Sequence, residues 1–188
     1  MALLFDGNAE SIQRGQAYYS RLQDTFIVPP TLVSAWIERE TINALIADHG
    51  YGGEVDLLSL DLDGVDYWIW EAITCISPRV VVLEFQSMFP ADMAVTVAYR
   101  RDFVRQWTDN YFGASLAAFV KLGRAEVYRL VGVNTLEFNA FFVRIGVGEA
   151  VLPEVSAEAI LASPRMRQLA ARHANELKQA LRHDRITV

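Results

Sequence analysis

The chain has 188 residues, 52% hydrophobic and 21% charged, which excludes a disordered protein and fits one domain with a sizeable core. A net charge of −6 and a pI near 5.1 argue against broad attraction to nucleic acid or anionic lipid. Cys75 stands alone, no apolar run approaches the roughly 18 residues of a membrane span, and Met-Ala-Leu-Leu-Phe-Asp lacks a signal peptide's basic region, so the sequence reads as cytoplasmic with no membrane partner.

Ala2 to Phe5 reads as a strand ending in the turn residues Asp6-Gly7-Asn8. Glu10 to Arg21 carries apolar residues at helical spacing, and Pro29-Pro30 interrupts the pattern. Thr31 to Ile37 is an apolar strand, followed by a helix from about Arg39 to His49 with Gly50 where a C-terminal cap belongs. Val55–Leu60 and Arg79–Phe85 are short aliphatic runs, apolar on both faces as in central parallel strands, with a helix over Tyr67 to Thr74 between them. Residues 86–110 show weak periodicity, Pro90 and two aromatic clusters. They read as a long loop with some helix, of the kind that forms a lid or substrate-binding segment.

A helix over Ala114 to Lys121, a strand over Val127–Val133 and an antiparallel partner over Phe138–Arg144 complete an α/β domain of residues 1–148. Residues 149–188 read as a helical extension. Its basic face (Arg165, Arg167, Arg172, Lys178, Arg182, Arg185) is expected to be a solvated surface on the docked helix.

Ligands of open α/β sheets bind beyond the carboxyl ends of the strands. Asp61, Asp63 and Glu84 would project there. The residues alone leave three roles open: turn and cap chemistry, a general base or substrate contact, and a shared hard cation such as Mg²⁺. Asp6 ends the first strand and Glu38 follows the second, where each is either a ligand contact or ordinary turn or helix-start chemistry. His49, His173 and His183 show no ligand spacing. Trp68 and Trp70 are most simply core.

The order of elements, together with Leu57-Leu-Ser-Leu-Asp61-Leu-Asp63-Gly64-Val-Asp66-Tyr-Trp, Arg79-Val-Val-Val-Leu-Glu84-Phe, Gly113-Ala-Ser-Leu, Tyr128-Arg-Leu-Val-Gly and Asn139-Ala-Phe-Phe-Val-Arg144, resembles the FkbM-like branch of class I S-adenosylmethionine-dependent methyltransferases over residues 1 to about 146. The resemblance implies a Rossmann-like, mostly parallel sheet with an antiparallel C-terminal hairpin. It implies S-adenosylmethionine as cofactor, a sugar or small-metabolite hydroxyl as acceptor, Asp6 at the cofactor ribose and Glu38 at the adenine edge. Asp61, Asp63 and Glu84 would then be the catalytic acids, with a metal role less favoured.

The first strand here matches the family's second. The family's first strand and glycine-rich turn therefore have no counterpart, and a gap is expected at the centre of the sheet. Such a gap would mark an N-terminally truncated product or a late start, or would be filled by a second copy or another partner. The rival to an enzyme is a non-catalytic remnant or assembly partner without cofactor binding.

Overall fold

The computed structural model describes residues 1–25 and 27–188. Among them the chain runs β1 (Leu3–Asp6), α1 (Ala9–Tyr19), a 3-10 turn (Gln23–Thr25), β2 (Thr31–Ser34), α2 (Ile42–Asp48), β3 (Gly53–Leu60), α3 (Asp66–Ala72) and β4 (Ile76–Glu84). The second half runs β5 (Val95–Thr96), α4 (Leu116–Ala125), β6 (Tyr128–Val133), β7 (Asn139–Arg144), α5 (Ala157–Leu161), α6 (Pro164–Arg172), α7 (Ala174–Ala180) and β8 (Ile186–Thr187). The fold is α/β with a mixed sheet.

Both aliphatic runs form strands, but only β4 is central; β3, expected to be central as well, lies at the edge of the sheet and is mostly exposed. β3 and β4 pair in parallel, β7 adds antiparallel to β4, and β6 adds antiparallel to β7, giving the order β3-β4-β7-β6. The α3 and α4 helices cover this sheet, and Trp70, 3% exposed, is the hub of their contact. Its indole lies 5.2 Å from the Phe142 ring, 5.7 Å from Tyr128 and 6.3 Å from Phe119, an aromatic cluster that excludes water from the sheet face. Trp70 is core, as expected. Trp68 is partly buried beside it and donates its indole N–H to the carbonyl of Val97 at 2.8 Å.

The helix after β2 starts later than its apolar pattern suggests. A turn closed by Thr41 N–H on the Glu38 carbonyl delays α2 to Ile42, and Gly50 follows its end at φ +81°, as a left-handed cap residue should. The 86–113 segment contains no helix among the described residues, only the two-residue β5. Its irregular path is held by tertiary contacts that no local pattern announces. Trp36 Nε1 donates to the Arg101 carbonyl at 2.7 Å, and the Tyr111 hydroxyl accepts from Ala98 N–H at 3.0 Å.

Residues 149–188 carry α5, α6 and α7, and they dock on the rest of the molecule. Ala157 and Met166 join the cluster that holds Trp70, and Ala180 packs with Met88, Phe89 and Val95. β8 pairs antiparallel with β5. Arg165, Arg167, Arg172, Lys178 and Arg182 are exposed, as expected of a solvated face. Arg185 departs from that pattern: its guanidinium lies 4.7 Å from the Phe89 ring and 5.3 Å from Tyr111 and donates to the Asn110 carbonyl at 2.8 Å. Burial pushes its pKa down to about 10, against the pull of Tyr111 and Asp109.

β1 and β2 form their own parallel pair, in register from Leu3↔Thr31 to Asp6↔Ser34, and neither pairs with the four-stranded sheet. One edge of β1 or β2 on one side and the outer edge of β3 on the other are therefore unpaired. Parallel strands normally have neighbours on both edges and helices on both faces. Here Leu57 of β3 is 58% exposed and Leu4 of β1 is 37% exposed. Open edges with apolar side chains are templates for further strand pairing. The isolated chain should self-associate or bind a hydrophobic dye, as read by light scattering and dye fluorescence. A monodisperse, cooperatively unfolding monomer without dye binding would show that these edges are protected.

Candidate active site

The parallel pairing of β3 and β4 places the acids. Register Leu60↔Leu83 brings the two carboxyl ends level, so Asp61, just past β3, comes beside Glu84, the last residue of β4. One carboxylate oxygen from each of Asp61, Asp63 and Glu84 lies within 4.8 Å of the others. The turn after β3 returns Asp63 to its neighbours by taking φ +54°, a left-handed conformation that Asp tolerates better than most residues. The sequence reading of these three residues as one cluster at the strand ends agrees with this geometry. Three carboxylate oxygens at this spacing can share a proton, accept from a hydroxyl, or hold a hard cation.

Crowding and burial shift the titration of the group. Glu84 is half-buried, and desolvation, followed by the charges of Asp61, Asp66 and Asp63, pushes its pKa up to about 7. Arg105 offsets only part of this rise. Solvent reaches Asp61, yet desolvation against the cleft wall still raises its pKa. The charge of Asp63 adds to the rise, and a hydrogen bond with Glu84 and the charge of Arg105 oppose it. Asp63 itself accepts from Arg105 Nη1 at 2.6 Å. The Arg105 guanidinium stacks 3.4 Å from the Phe112 ring centroid and 3.9 Å from that of Trp107, so two aromatic faces fix the cation beside the acids.

A cleft of about 860 Å³ opens over Asp61 and Asp63, and Glu84 is not among the residues that line it. Asp61 and Asp63 line one wall, and Asp6 with Gly7 and Asn8 at the end of β1 lines another. Arg100, Arg101, Phe103, Arg105 and Trp107 come from the 86–113 segment. Asp6 is exposed and uses Oδ1 to accept from Asn8 N–H at 2.7 Å, while Asn8 caps α1 by accepting from Glu10 N–H and Ser11 N–H. Turn chemistry thus occupies one oxygen of Asp6, and among the described residues the other accepts no hydrogen bond. Glu38 stands outside the lining: its carboxylate pairs with Arg101, which also reaches Glu40 at 3.7 Å. Thr41, not Glu38, is the residue at the N-terminus of α2.

Sequence reasoning picked out the 86–110 segment as a binding element but did not single out Arg101, Phe103, Arg105 or Trp107 within it. The visible signal was the pairing of Arg100-Arg101 with aromatics at Tyr99, Phe103 and Trp107. His49 is packed on the Phe5 ring and its Nδ1 lies 2.8 Å from the Leu45 carbonyl. His183 stacks 5.0 Å from Tyr111. None of the three histidines lines the cleft. Among the described residues no helix is long and apolar enough to cross a membrane. Comparisons of the chain with protein-family models, with curated proteins and with solved structures found no match.

The raised acids fix how stability should vary with pH. Glu84 at about 7 and Asp66 at about 6 bind protons in the folded state that the unfolded chain, with carboxyl pKa values near 4, has already released. Above pH ~4 the folded state therefore holds more protons, and its stability falls as pH rises toward 7. The thermal midpoint should be higher near pH 5 than near pH 8, and Glu84→Gln should flatten that slope. A midpoint that is constant or rises over this range would contradict the crowding described above.

Proposed function

We propose that the chain is an O-methyltransferase domain of the FkbM-like, S-adenosylmethionine-dependent type, with a Rossmann-like sheet, acting on a hydroxyl of a sugar or other small metabolite. The observation that carries the reading is the convergence of Asp61, Asp63 and Glu84 at the ends of β3 and β4, under a cleft that Asp6 enters from the end of β1. The cofactor's sulfonium would supply an electrophilic methyl group. This chain's residues supply the other half of the chemistry.

A carboxylate whose pKa lies near neutrality is suited to take the acceptor's hydroxyl proton as the new O–C bond forms and the S–C bond breaks. Glu84, at about 7, meets that requirement, and Asp61 beside it can hold the hydroxyl in line. Phe103, Arg105 and Trp107 line the wall of the cleft facing the acids and would contact a bound acceptor.

The residues fit the ribose end of such a cofactor, because Asp6 keeps one carboxylate oxygen free for a hydroxyl donor. The methionine end would rest on whatever strand occupies the slot between β1 and β3. The unpaired edges support a second reading, in which the chain serves as an assembly partner without cofactor binding.

Calorimetric titration with S-adenosylhomocysteine, on the chain alone and in its associated form, separates the two. Binding should be present in at least the associated form, and Asp6→Ala should weaken it by roughly 1.5–3 kcal/mol, the range for a hydrogen bond to a charged group. The apo thermal midpoint of that variant should be nearly unchanged. Absence of binding heat in both forms would favour the assembly reading.

Within the methyl-transfer reading, Glu84→Gln should lower kcat by about 10²–10⁴-fold, the range for loss of a general base, with cofactor affinity unchanged. Asp63→Asn keeps a residue that tolerates φ +54° and a carbonyl oxygen for Arg105, so it should leave the fold intact. Full activity in Glu84→Gln would remove the carboxylates from the chemistry.

A further inference from the structure

Asp66 is 1% exposed and opens α3, directly beneath the turn that carries Asp61 and Asp63. Each of its carboxylate oxygens accepts from a different backbone amide. Oδ1 accepts from Leu62 N–H at 2.7 Å and Oδ2 from Gly64 N–H at 3.1 Å. Asp63, the residue between those amides, is the one in the turn with a left-handed backbone.

The far side of the turn is held as well. The Gly64 carbonyl accepts from Gly113 N–H at 3.1 Å, and the Phe103 ring packs so closely that a Cβ on Gly64 would stand 2.1 Å from it. A helix start can be satisfied by an exposed Ser, Thr or Asn at the cap position. Burying a carboxylate for the same end carries a desolvation cost, which two charge-assisted amide bonds offset only in part. Those bonds do not serve the free amides of α3. They reach back to the two amides on either side of Asp63.

We propose that Asp66 is a positioning residue that brackets Asp63 from below and so holds the Leu62–Gly64 turn in the arrangement that brings Asp61 and Asp63 onto Glu84. The geometric part stands on the hydrogen bonds alone. The consequence for turnover rests on the methyl-transfer reading given above.

Amide hydrogen exchange by NMR on the full chain reads the bracket directly. In the unsubstituted protein Leu62 and Gly64 should exchange more slowly than Asp63, although all three lie in a short turn. Asp66→Asn keeps one acceptor oxygen and should release one of the two amides, speeding its exchange by about tenfold or more. Asp66→Ala should release both and shift the Arg105 guanidinium resonances as the contact with Asp63 loosens, while core amides of α4 keep their protection.

In an active assembly the same variants should lower kcat and leave the S-adenosylhomocysteine affinity unchanged. Equal exchange of Leu62, Asp63 and Gly64 in the unsubstituted protein would overturn the proposal, and this result does not depend on any variant folding. So would turn amides and Arg105 resonances that stay put in Asp66→Ala, or a released turn with undiminished kcat. A released turn in a protein whose unsubstituted form transfers no methyl group would leave the bracket standing and defeat the methyl-transfer reading instead.

Discussion

The in-register parallel pairing of β3 with β4 is the constraint from which the candidate site follows. Because Leu60 pairs with Leu83, the residues just past β3 and at the end of β4 must come out at the same level and within a strand spacing of one another. Both strands are anchored by residues that cannot easily shift. Val81 and Leu83 are fully buried, and Leu60 is 8% exposed. A slip of one residue would turn those side chains to the opposite face and separate Asp61 from Glu84 in the same move. Packing energy thus fixes the distance between two carboxylates that would repel each other if left free. The raised pKa of Glu84 reflects its burial first and that enforced proximity second.

Much of this was legible in the sequence where the signal is local. The aliphatic runs of β3 and β4 read as buried parallel strands, the acids at their ends read as a cluster, and the final two strands read as a hairpin. The structure has the parallel pairing, the cluster and the hairpin, but β3 is a largely exposed edge strand and not a buried one. The boundaries that moved did so for tertiary or turn reasons, as where the Glu38–Thr41 turn delays α2.

The parts of the site that were not legible depend on partners distant in sequence. Arg105 matters because it stacks on Phe112 and reaches Asp63, 42 positions away. Glu38 was read as either an adenine-edge contact or a helix-start acid, but it pairs with an arginine 63 positions away. Asp66 stood within the quoted motif, yet nothing in the spacing announced that it would be fully buried with both oxygens on backbone amides. Pattern reasoning finds periodic elements and strand-end acids, whereas the irregular 86–113 segment is shaped by contacts that only the folded chain brings together.

The same logic gives the division of the sheet its meaning. β1 and β2 contribute Asp6 and the Trp36 wall to the cleft, while β3 and β4 contribute the acids, and no backbone hydrogen bonds join the two groups of strands among the described residues. The two halves are held across the cleft by side chains, including Trp36 on Arg101 and Glu38 on the same arginine.

The most direct test of the central claim is a carboxyl-carbon NMR titration of Glu84 in the folded chain. Desolvation, with the charges of Asp61, Asp66 and Asp63 added to it, predicts a midpoint near 7. A midpoint near 4.3, the value of an unperturbed glutamate, would show that Glu84 is neither desolvated nor crowded and that no poised base exists there.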